Sequence, residues 1–329
     1  MIRIENCTHL DLTKYNAIID KLDVENEEYT IAHNPILPKL LSDIFGYKPV
    51  YYSIKSDDAD IGYIIGCEIN GRFVSIPHFS YGGPILDSML DIGSIINEQI
   101  NNFEIRGFDK ISDNYTEDKI TSYLILEKSV DEQLKSFKYN VRRQIKIAKA
   151  NLVLKVGKAN LLDDFFNIYA ENMKRLGSPP QPKIFFEKLL KSYDFGESLL
   201  FCVYHENVCV GASFYLSYED VAEVCWSATK WQFNKLFPSY LLHWELIAYA
   251  IKNNVKVFYF GRSSEGSGAL SFKRHWKPIE KPIYFNLSGA DSFFINKSFL
   301  KKALSRYWSK FIPVKLGVLI GEKFSKHLY

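Results

Sequence analysis

VYYSIKS (50–56), IGYIIGCEI (61–69) and RFVSIPHF (72–79) are three runs rich in β-branched and aromatic residues. A loop SYGGP (80–84), a helical stretch LDSMLDIGSIINEQINN (86–102) and a final run FEIRGF (103–108) follow them. The same order returns as LLFCVYH (199–205), VCVGASFYLS (208–217), DVAEVCWSA (220–228), a loop ending KLFPS (235–239), YLLHWELIAYAIKNN (240–254) and VKVFYFGR (255–262). Turn residues separate the runs, Asn70-Gly71 in the first set and Glu206-Asn207 in the second, so each run reads as a strand. Apolar Leu241, Leu242, Trp244, Leu246, Ile247, Tyr249, Ala250 and Ile251 cover enough of one helix to pack it on a sheet. The repeat predicts two tandem α/β units, each a mixed sheet flanked by helices.

Between the repeats lies VDEQLKSFKYNVRRQIKIAKAN (130–151). On a helical wheel Leu134, Phe137, Val141, Ile145 and Ala148 share one arc, and Lys135, Lys138, Arg142, Lys146 and Lys149 share the next. The segment is expected to be a basic connecting helix over 131–151, either solvated or serving as a rail for nucleic-acid phosphates or anionic lipid through Lys138, Arg142, Lys146 and Lys149. It divides a first domain, 1–130, from a second, 152–289; the helical tail 290–329 is expected to rejoin the first. Within the second, a strand over 152–157 and a helix over 161–176 are expected, the helix stopping at GSPP (177–180). A second helix, 183–193, leads into the repeat.

Composition narrows the function classes. The chain has 329 residues, 47% apolar and 15% aromatic, ample for sizeable cores. Five cysteines stand singly without a Cys-x-x-Cys pair, and the seven histidines have no metal-ligand spacing, so no metal centre is expected. Neither a secretory start nor a spanning apolar run is evident, and a cytoplasmic protein is the expectation. The net charge of +3 is uneven: residues 131–150 carry six basic side chains against Asp131 and Glu132, and residues 299–329 carry seven against Glu322. Such concentration fits a phosphorylated or polyanionic partner, although basic runs also serve as solvated helix faces; no DNA partner is expected.

FGRSSEGSGALSFKRHW (260–276) resembles a phosphate loop but is no Walker A sequence, since Gly261, Gly266 and Gly268 are followed by Ala269, Leu270 and Ser271. Nor does it have the spacing of the acetyl-CoA turn of N-acetyltransferases, so acyl-CoA is the weaker donor. Its expected role is to let backbone approach a ligand while delivering Phe272 and Lys273 to a cleft. Glu223 and Glu245 are candidates for acid–base work without spacing to support either.

Six short motifs in order carry a family resemblance: FGY (45–47), YGGP (81–84), RLGSPP (175–180), PSYLLHWE (238–245), FYFGRS (258–263) and Phe272-Lys273, together with a basic tail containing Trp308. They resemble the Fem-type aminoacyltransferases, especially the FemAB-related proteins found with exopolysaccharide gene clusters, over nearly the whole chain. The resemblance implies two tandem GNAT-like domains and transfer of an aminoacyl or other acyl group to an amine or hydroxyl of a glycan, peptidoglycan or lipid-linked precursor. Aminoacyl-tRNA or acyl-CoA would be a co-substrate, with no permanent cofactor, and the enzyme would touch the cytoplasmic membrane surface peripherally. The long helical arm of some members is absent here, as it is from others.

On the same resemblance Lys273, with Phe272 beside it, is the active-site lysine, and Arg175 binds acceptor phosphates, a role its forked guanidinium suits. Lys39 is a weaker counterpart of a phosphate-binding lysine. Tyr81, Gly82 and Gly83 would wall the acceptor cleft, with Arg262 and Ser263 on the glycine-rich side. An acyl-CoA-dependent N-acyltransferase of nucleotide sugars, or a non-catalytic glycan-binding scaffold, are the alternatives. The tail is expected to fold back on the protein, because Trp308, Phe311, Ile312, Val314, Leu316, Val318 and Leu319 are too many to leave in water.

Overall fold

The structure, a computed structural model, describes residues 2–23, 29–87, 90–288 and 298–327, with backbone only over 298–304. The first unit runs β1 (Ile2–Cys7), α1 (Leu12–Ile19), α2 (Leu37–Phe45), β2 (Lys48–Ser56), β3 (Ala59–Ile69), β4 (Arg72–Val74), β5 (Ile85–Leu86), α3 (Gly93–Gln99), β6 (Phe103–Gly107) and β7 (Tyr115–Ile125). Helices α4 (Val130–Ser136) and α5 (Tyr139–Asn151) connect it to the second. That unit runs β8 (Val153–Gly157), α6 (Leu162–Leu176), α7 (Lys183–Ser192), β9 (Gly196–His205), β10 (Val208–Tyr218), β11 (Val221–Thr229), α8 (Pro238–Lys252), β12 (Val257–Ser264), α9 (Gly268–Lys273) and β13 (Ile279–Leu287). Helices α10 (Ser298–Phe311) and α11 (Val314–Phe324) follow.

The repeat is therefore longer than the sequence pattern indicates. Each unit is a strand, two helices, three strands, a helix and two more strands, with β5 and α9 as insertions. Among the described residues the strands form one sheet, ordered β1-β2-β3-β4-β6-β13-β7-β12-β11-β10-β9-β8, with β5 beside β3. The last strand of each unit crosses to the other. β7 pairs antiparallel with β12, Val257 opposite Ile125, while β13 pairs antiparallel with β6, Tyr284 opposite Gly107. The two exchanged strands also pair with each other, Ile279 opposite Tyr123.

Side-chain alternation assigns the layers. On β9, Leu200, Cys202 and Tyr204 face a core shared by both units, in which Tyr15, Leu37, Phe165 and Phe186 cover one side of the sheet. Leu199, Phe201 and Val203 face the opposite way, into a core built with Val141 and Ile145 of α5 and Leu242 and Trp244 of α8. Around α3 a smaller core holds Ile54, Ile64, Ile96 and Phe103. Helix α8 is apolar on most of its circumference because β-sheet, α5 and α9 neighbours leave it little contact with water.

Three expectations need correction. The stretch 86–102 is helical only over Gly93–Gln99: Ile85–Leu86 pairs with Gly62 and Tyr63 of β3, and Asp91 Oδ1 takes the Gly93 N–H at 2.9 Å. Ser88 and Met89 lie outside the described residues. The connecting helix over 131–151 is broken at Phe137, which is extended (φ −77°, ψ 151°) so that its ring meets Trp276 edge-on at 5.1 Å. The tail folds back only in part. Val314 and Val318 pack against the shared core and α10 and α11 lie on α6, whereas Phe311, Leu316 and Leu319 stay exposed. Phe299's side chain lies outside the described residues.

Candidate active site

A cleft of about 700 Å³ opens where two parallel strands diverge. β11 and β12 pair at Val221–Val257, Ala222–Phe258 and Glu223–Tyr259 and no further, though both strands continue. Glu223, the last paired residue of β11, therefore stands at the root of the opening. The matching divergence of β4 and β6 in the first unit is filled by its own loop. There Ser75 N–H donates to the Glu104 carbonyl at 3.0 Å and Gly82 N–H to the Arg106 carbonyl at 2.8 Å. A buried Arg106–Glu104 ion pair of 2.6 Å completes that plug.

Five segments line the open cleft: β11 with Glu223 and Trp226, β12 with Gly261 and Arg262, the start of α8 with Ser239 and His243, the end of α6 with Asn172 and Arg175, and α9 with Phe272 and Lys273. The first unit contributes His78, Phe79 and Ser80, so both units build it. Helix α9 starts at Ser267, whose hydroxyl accepts the Leu270 N–H at 3.2 Å, and its short run carries Lys273 back over β12. A bulge between Tyr259 and Arg262 interrupts pairing with β7, and Gly261 there adopts φ +71°. That bulge turns the Gly261 carbonyl out of the ladder and toward the Lys273 ammonium, which donates to it at 2.7 Å and to the Arg262 carbonyl at 3.3 Å. An ammonium has three N–H groups, so one remains for a ligand.

Glu223 is buried. Ser80 Oγ donates to its Oε1 at 3.2 Å, while Oε2 is buried with no hydrogen-bond partner among the described residues. Burial pushes its carboxyl up to about 7, with Tyr81, Lys273, Ser80 and Arg262 pulling the other way. Burial likewise lowers the Lys273 ammonium to about 8, opposed by Glu223. Arg262 is lowered to about 10 by burial and by Arg106. A side chain on Gly261 would come within 3.2 Å of Glu223 Oε1, so glycine is what lets the lysine's carbonyl anchor and the carboxylate adjoin.

Two histidines border the cleft as neutral rings. His243 Nδ1 donates to the Ser239 carbonyl at 2.8 Å, leaving Nε2 as an acceptor, and burial holds the ring down to about 4. His78 is lowered to about 3 by burial, then by Arg106 and Arg262. Gln181 Nε2 donates to its Nδ1 at 2.9 Å, and Nε2 donates to Tyr47 Oη at 3.0 Å, Tyr47 in turn donating to the Lys326 carbonyl at 2.7 Å.

Of the residues expected from the sequence, Lys273, Phe272, Arg175 and Arg262 meet in this cleft. Arg175 is exposed at the mouth, its Nη2 donating to Asn172 Oδ1 at 2.7 Å. Ser263 is buried and off the lining. Tyr81 and Gly83 border a second hollow beside His33, and Gly82 sits in the first unit's plug. Lys39 lies on the exposed side of α2, paired with Asp43 at 2.9 Å, away from the cleft lining. Lys138, Arg142 and Lys146 are exposed at and along α5, whereas Lys149 pairs with Glu245 at 2.8 Å. That pair takes Glu245 away from the cleft. His78, Ser80 and Trp226 carried no sequence signal, and His243 stood within the PSYLLHWE motif with no role assigned to it. Glu223 had one: it is the sole charged residue in the apolar run 221–228.

Residues 135–276 match the family model of the acetyltransferase (GNAT) domain. No curated protein matches the sequence. Among solved structures, the crystal structure of FemX matches with a TM-score of 0.61 at 12% identity, over 86% of this chain and 97% of that one. L-PGS from Bacillus licheniformis matches at 0.54 and 13% identity, over 90% and 98%. A tandem GNAT protein from the clavulanic acid biosynthesis pathway matches at 0.50 and 9% identity, over 89% and 100%. At these identities the likeness is one of fold: a mixed α/β, tandem GNAT arrangement.

Proposed function

From a chain of two GNAT-type units with an open cleft at the β11–β12 divergence, we propose an acyltransferase of the Fem type. It moves an aminoacyl or other activated acyl group onto an amine or hydroxyl of a phosphorylated envelope glycan, peptidoglycan or lipid-linked precursor. The observation that carries the reading is the adjacency of Lys273 and Glu223 at Gly261, in a cleft that also holds Arg175 and Arg262. The exopolysaccharide-associated subgroup is the finer assignment, resting on the motifs alone.

The chemistry follows from those groups. Glu223 takes the proton of the acceptor amine as its nitrogen attacks the acyl carbonyl carbon and the C–N bond forms. Electrons displaced onto the carbonyl oxygen meet the third N–H of Lys273, held in place before the reaction by two backbone carbonyls. Collapse breaks the bond to the leaving oxygen or sulfur, and Glu223 returns its proton to that atom. The guanidinium groups of Arg262 and Arg175 suit phosphates of donor and acceptor. Aminoacyl-tRNA is the favoured donor over acyl-CoA, because neither the 260–276 loop nor the glycine-free turn 230–238 before α8 has the spacing of a CoA pyrophosphate loop.

Lys273→Ala tests the reading in a transfer assay run separately with aminoacyl-tRNA and with acyl-CoA. Loss of one preorganised charge contact costs roughly a hundredfold in rate or more. Lys273→Arg recovers little, because the fork directs its charge differently. Arg274→Ala, which removes an exposed pair with Glu280 at 2.8 Å, is the control and leaves the rate near that of the parent. A Lys273→Ala protein that transfers at the parent rate sinks the assignment.

A further inference from the structure

The outer side of the C-terminal helices is apolar and basic at once. Tyr307 (58% exposed), Phe311 (57%), Leu319 (57%) and Phe324 (54%) stand in solvent with Leu316 on α10 and α11. Single exposed apolar side chains are ordinary, but five within two consecutive short helices are not. They are also ordered by helical spacing. Tyr307 and Phe311 are one turn apart with ring centroids 4.9 Å from each other, and Leu316, Leu319 and Lys323 follow an i, i+3, i+7 row.

Basic groups flank these rows. Arg306 and Lys310 run beside the aromatic pair, and Lys310 Nζ lies 5.3 Å from the centre of the Phe311 ring. Lys315 and Lys323 are exposed on α11, where Glu322 is the one acidic residue. The inner side is fixed. Val314 and Val318 pack on the shared core, Ser305 Oγ donates to the Leu176 carbonyl at 3.0 Å, and a side chain at Gly321 would collide with the Pro180 carbonyl oxygen.

We propose that this face of α10 and α11 is a docking surface for an anionic lipid bilayer, with the aromatic and leucine side chains entering the acyl boundary and the basic groups meeting lipid phosphates. The combination is that of helices which lie in an interface rather than cross it, and among the described residues no helix is long and apolar enough to cross a membrane. Charge selects the occupant. A second copy would bring Arg306, Lys310, Lys315 and Lys323 against themselves, whereas anionic headgroups complement them. Leu176, to whose carbonyl the tail is tied, lines the mouth of the cleft and is 54% exposed, so docking would set that mouth beside the headgroups.

Flotation of the full chain with vesicles tests this independently of any transfer assay. Vesicles of phosphatidylcholine alone are compared with vesicles containing phosphatidylglycerol at low and at physiological salt. The parent is expected to float with the anionic vesicles, more strongly at low salt, and to stay behind with neutral ones. Phe311→Ser with Leu319→Ser should abolish flotation at physiological salt. Lys310→Glu, Lys315→Glu and Lys323→Glu together should weaken binding on the order of a hundredfold. All these side chains are exposed, so unchanged circular dichroism and melting temperature are expected. Absence of the parent from anionic vesicles overturns the proposal, as does flotation untouched by either variant set. Concentration-dependent self-association abolished by Phe311→Ser and Leu319→Ser, without vesicle binding, overturns it in favour of a protein interface.

Discussion

The Lys273 ammonium lies 2.7 Å from the Gly261 carbonyl oxygen, a group the bulge in β12 has taken out of the sheet ladder. A backbone defect on one strand thus orients a side chain carried by a different element. The carbonyl dipole also favours the charged form of a buried lysine, partly offsetting its desolvation.

Gly261→Ala should therefore disturb chemistry more than folding. At φ +71° a side chain strains the backbone by about 1–2 kcal/mol, and the new methyl presses on Glu223 Oε1. The expected result is a modestly lowered denaturant midpoint with a drop in kcat of tenfold or more. An unaltered kcat alongside a lowered midpoint would detach the bulge from catalysis.

The rate should have a narrow pH optimum. Glu223, raised by burial to about 7, serves only when ionised, so activity falls as acid protonates it. Lys273, lowered by burial to about 8, serves only when protonated, so activity falls as base removes its proton. The two limbs belong to the interacting pair rather than to either residue alone. Glu223→Gln should lose the acid limb of kcat/KM and at least a hundredfold in rate. A parent profile flat from about pH 6 to 9 would remove Glu223 as the base.

Reversal of Lys138, Arg142 and Lys146 to glutamate should weaken RNA binding and lower the slope of log K against log salt by about 2, three single-strand phosphate contacts at about 0.7 each. These residues are exposed on or at the start of α5, so the melting temperature should not change. Lys149→Glu is a separate matter, since it breaks the 2.8 Å pair with Glu245. Identical RNA affinity and salt slope in the triple variant would make α5 a solvated connector.

Acid should destabilise the fold through buried neutral histidines. His33 accepts the Thr30 N–H at Nδ1 (2.8 Å) and donates from Nε2 to the Gly83 carbonyl (3.0 Å), and burial holds it down to about 4. With His78 and His243 lowered in the same sense, the unfolded chain binds more protons than the folded one between their folded values and about 6.5. Stability is thus intact above pH 6.5 and lost as pH falls, by about 3 kcal/mol for His33 at pH 4. Glu223 opposes this, since its raised value adds stability that is present in acid and lost as pH rises through about 7. Urea titrations should give a smaller unfolding free energy at pH 5 than at pH 7.5, and His33→Asn should flatten that dependence. Equal values at both pH would show that these rings do not titrate on unfolding.

Strands and buried helices were readable because their signals are local. β9 to β11 follow runs whose alternate residues face two different cores, and α8 follows an apolar arc. β1 and the pair α1–α2 gave no comparable pattern, β1 being a partly exposed edge strand whose exposure does not alternate cleanly, whereas β8 was expected over 152–157. Phe137 shows where periodicity misleads: it sits on the apolar arc of a continuous helix, yet reaches Trp276 only by breaking that helix. Lys273 and Arg262 could be nominated from the loop between them. Glu223 could not be joined to them, because the adjacency depends on strands parting at one residue and on a first-unit serine reaching across.

Exchange of β7 and β13 has a consequence for how such a chain could arise. A polypeptide ending at Ile125 carries a strand whose partners, β12 and β13, both lie beyond its own C-terminus. One copy of the unit would be left with an open edge at β6 and an unmatched ribbon. Two copies could satisfy both by trading ribbons as a domain-swapped homodimer, with a two-fold axis between them. Gene duplication with fusion would then lock a dimer into a monomer, freeing one of two equivalent openings to be plugged while the other kept the chemistry.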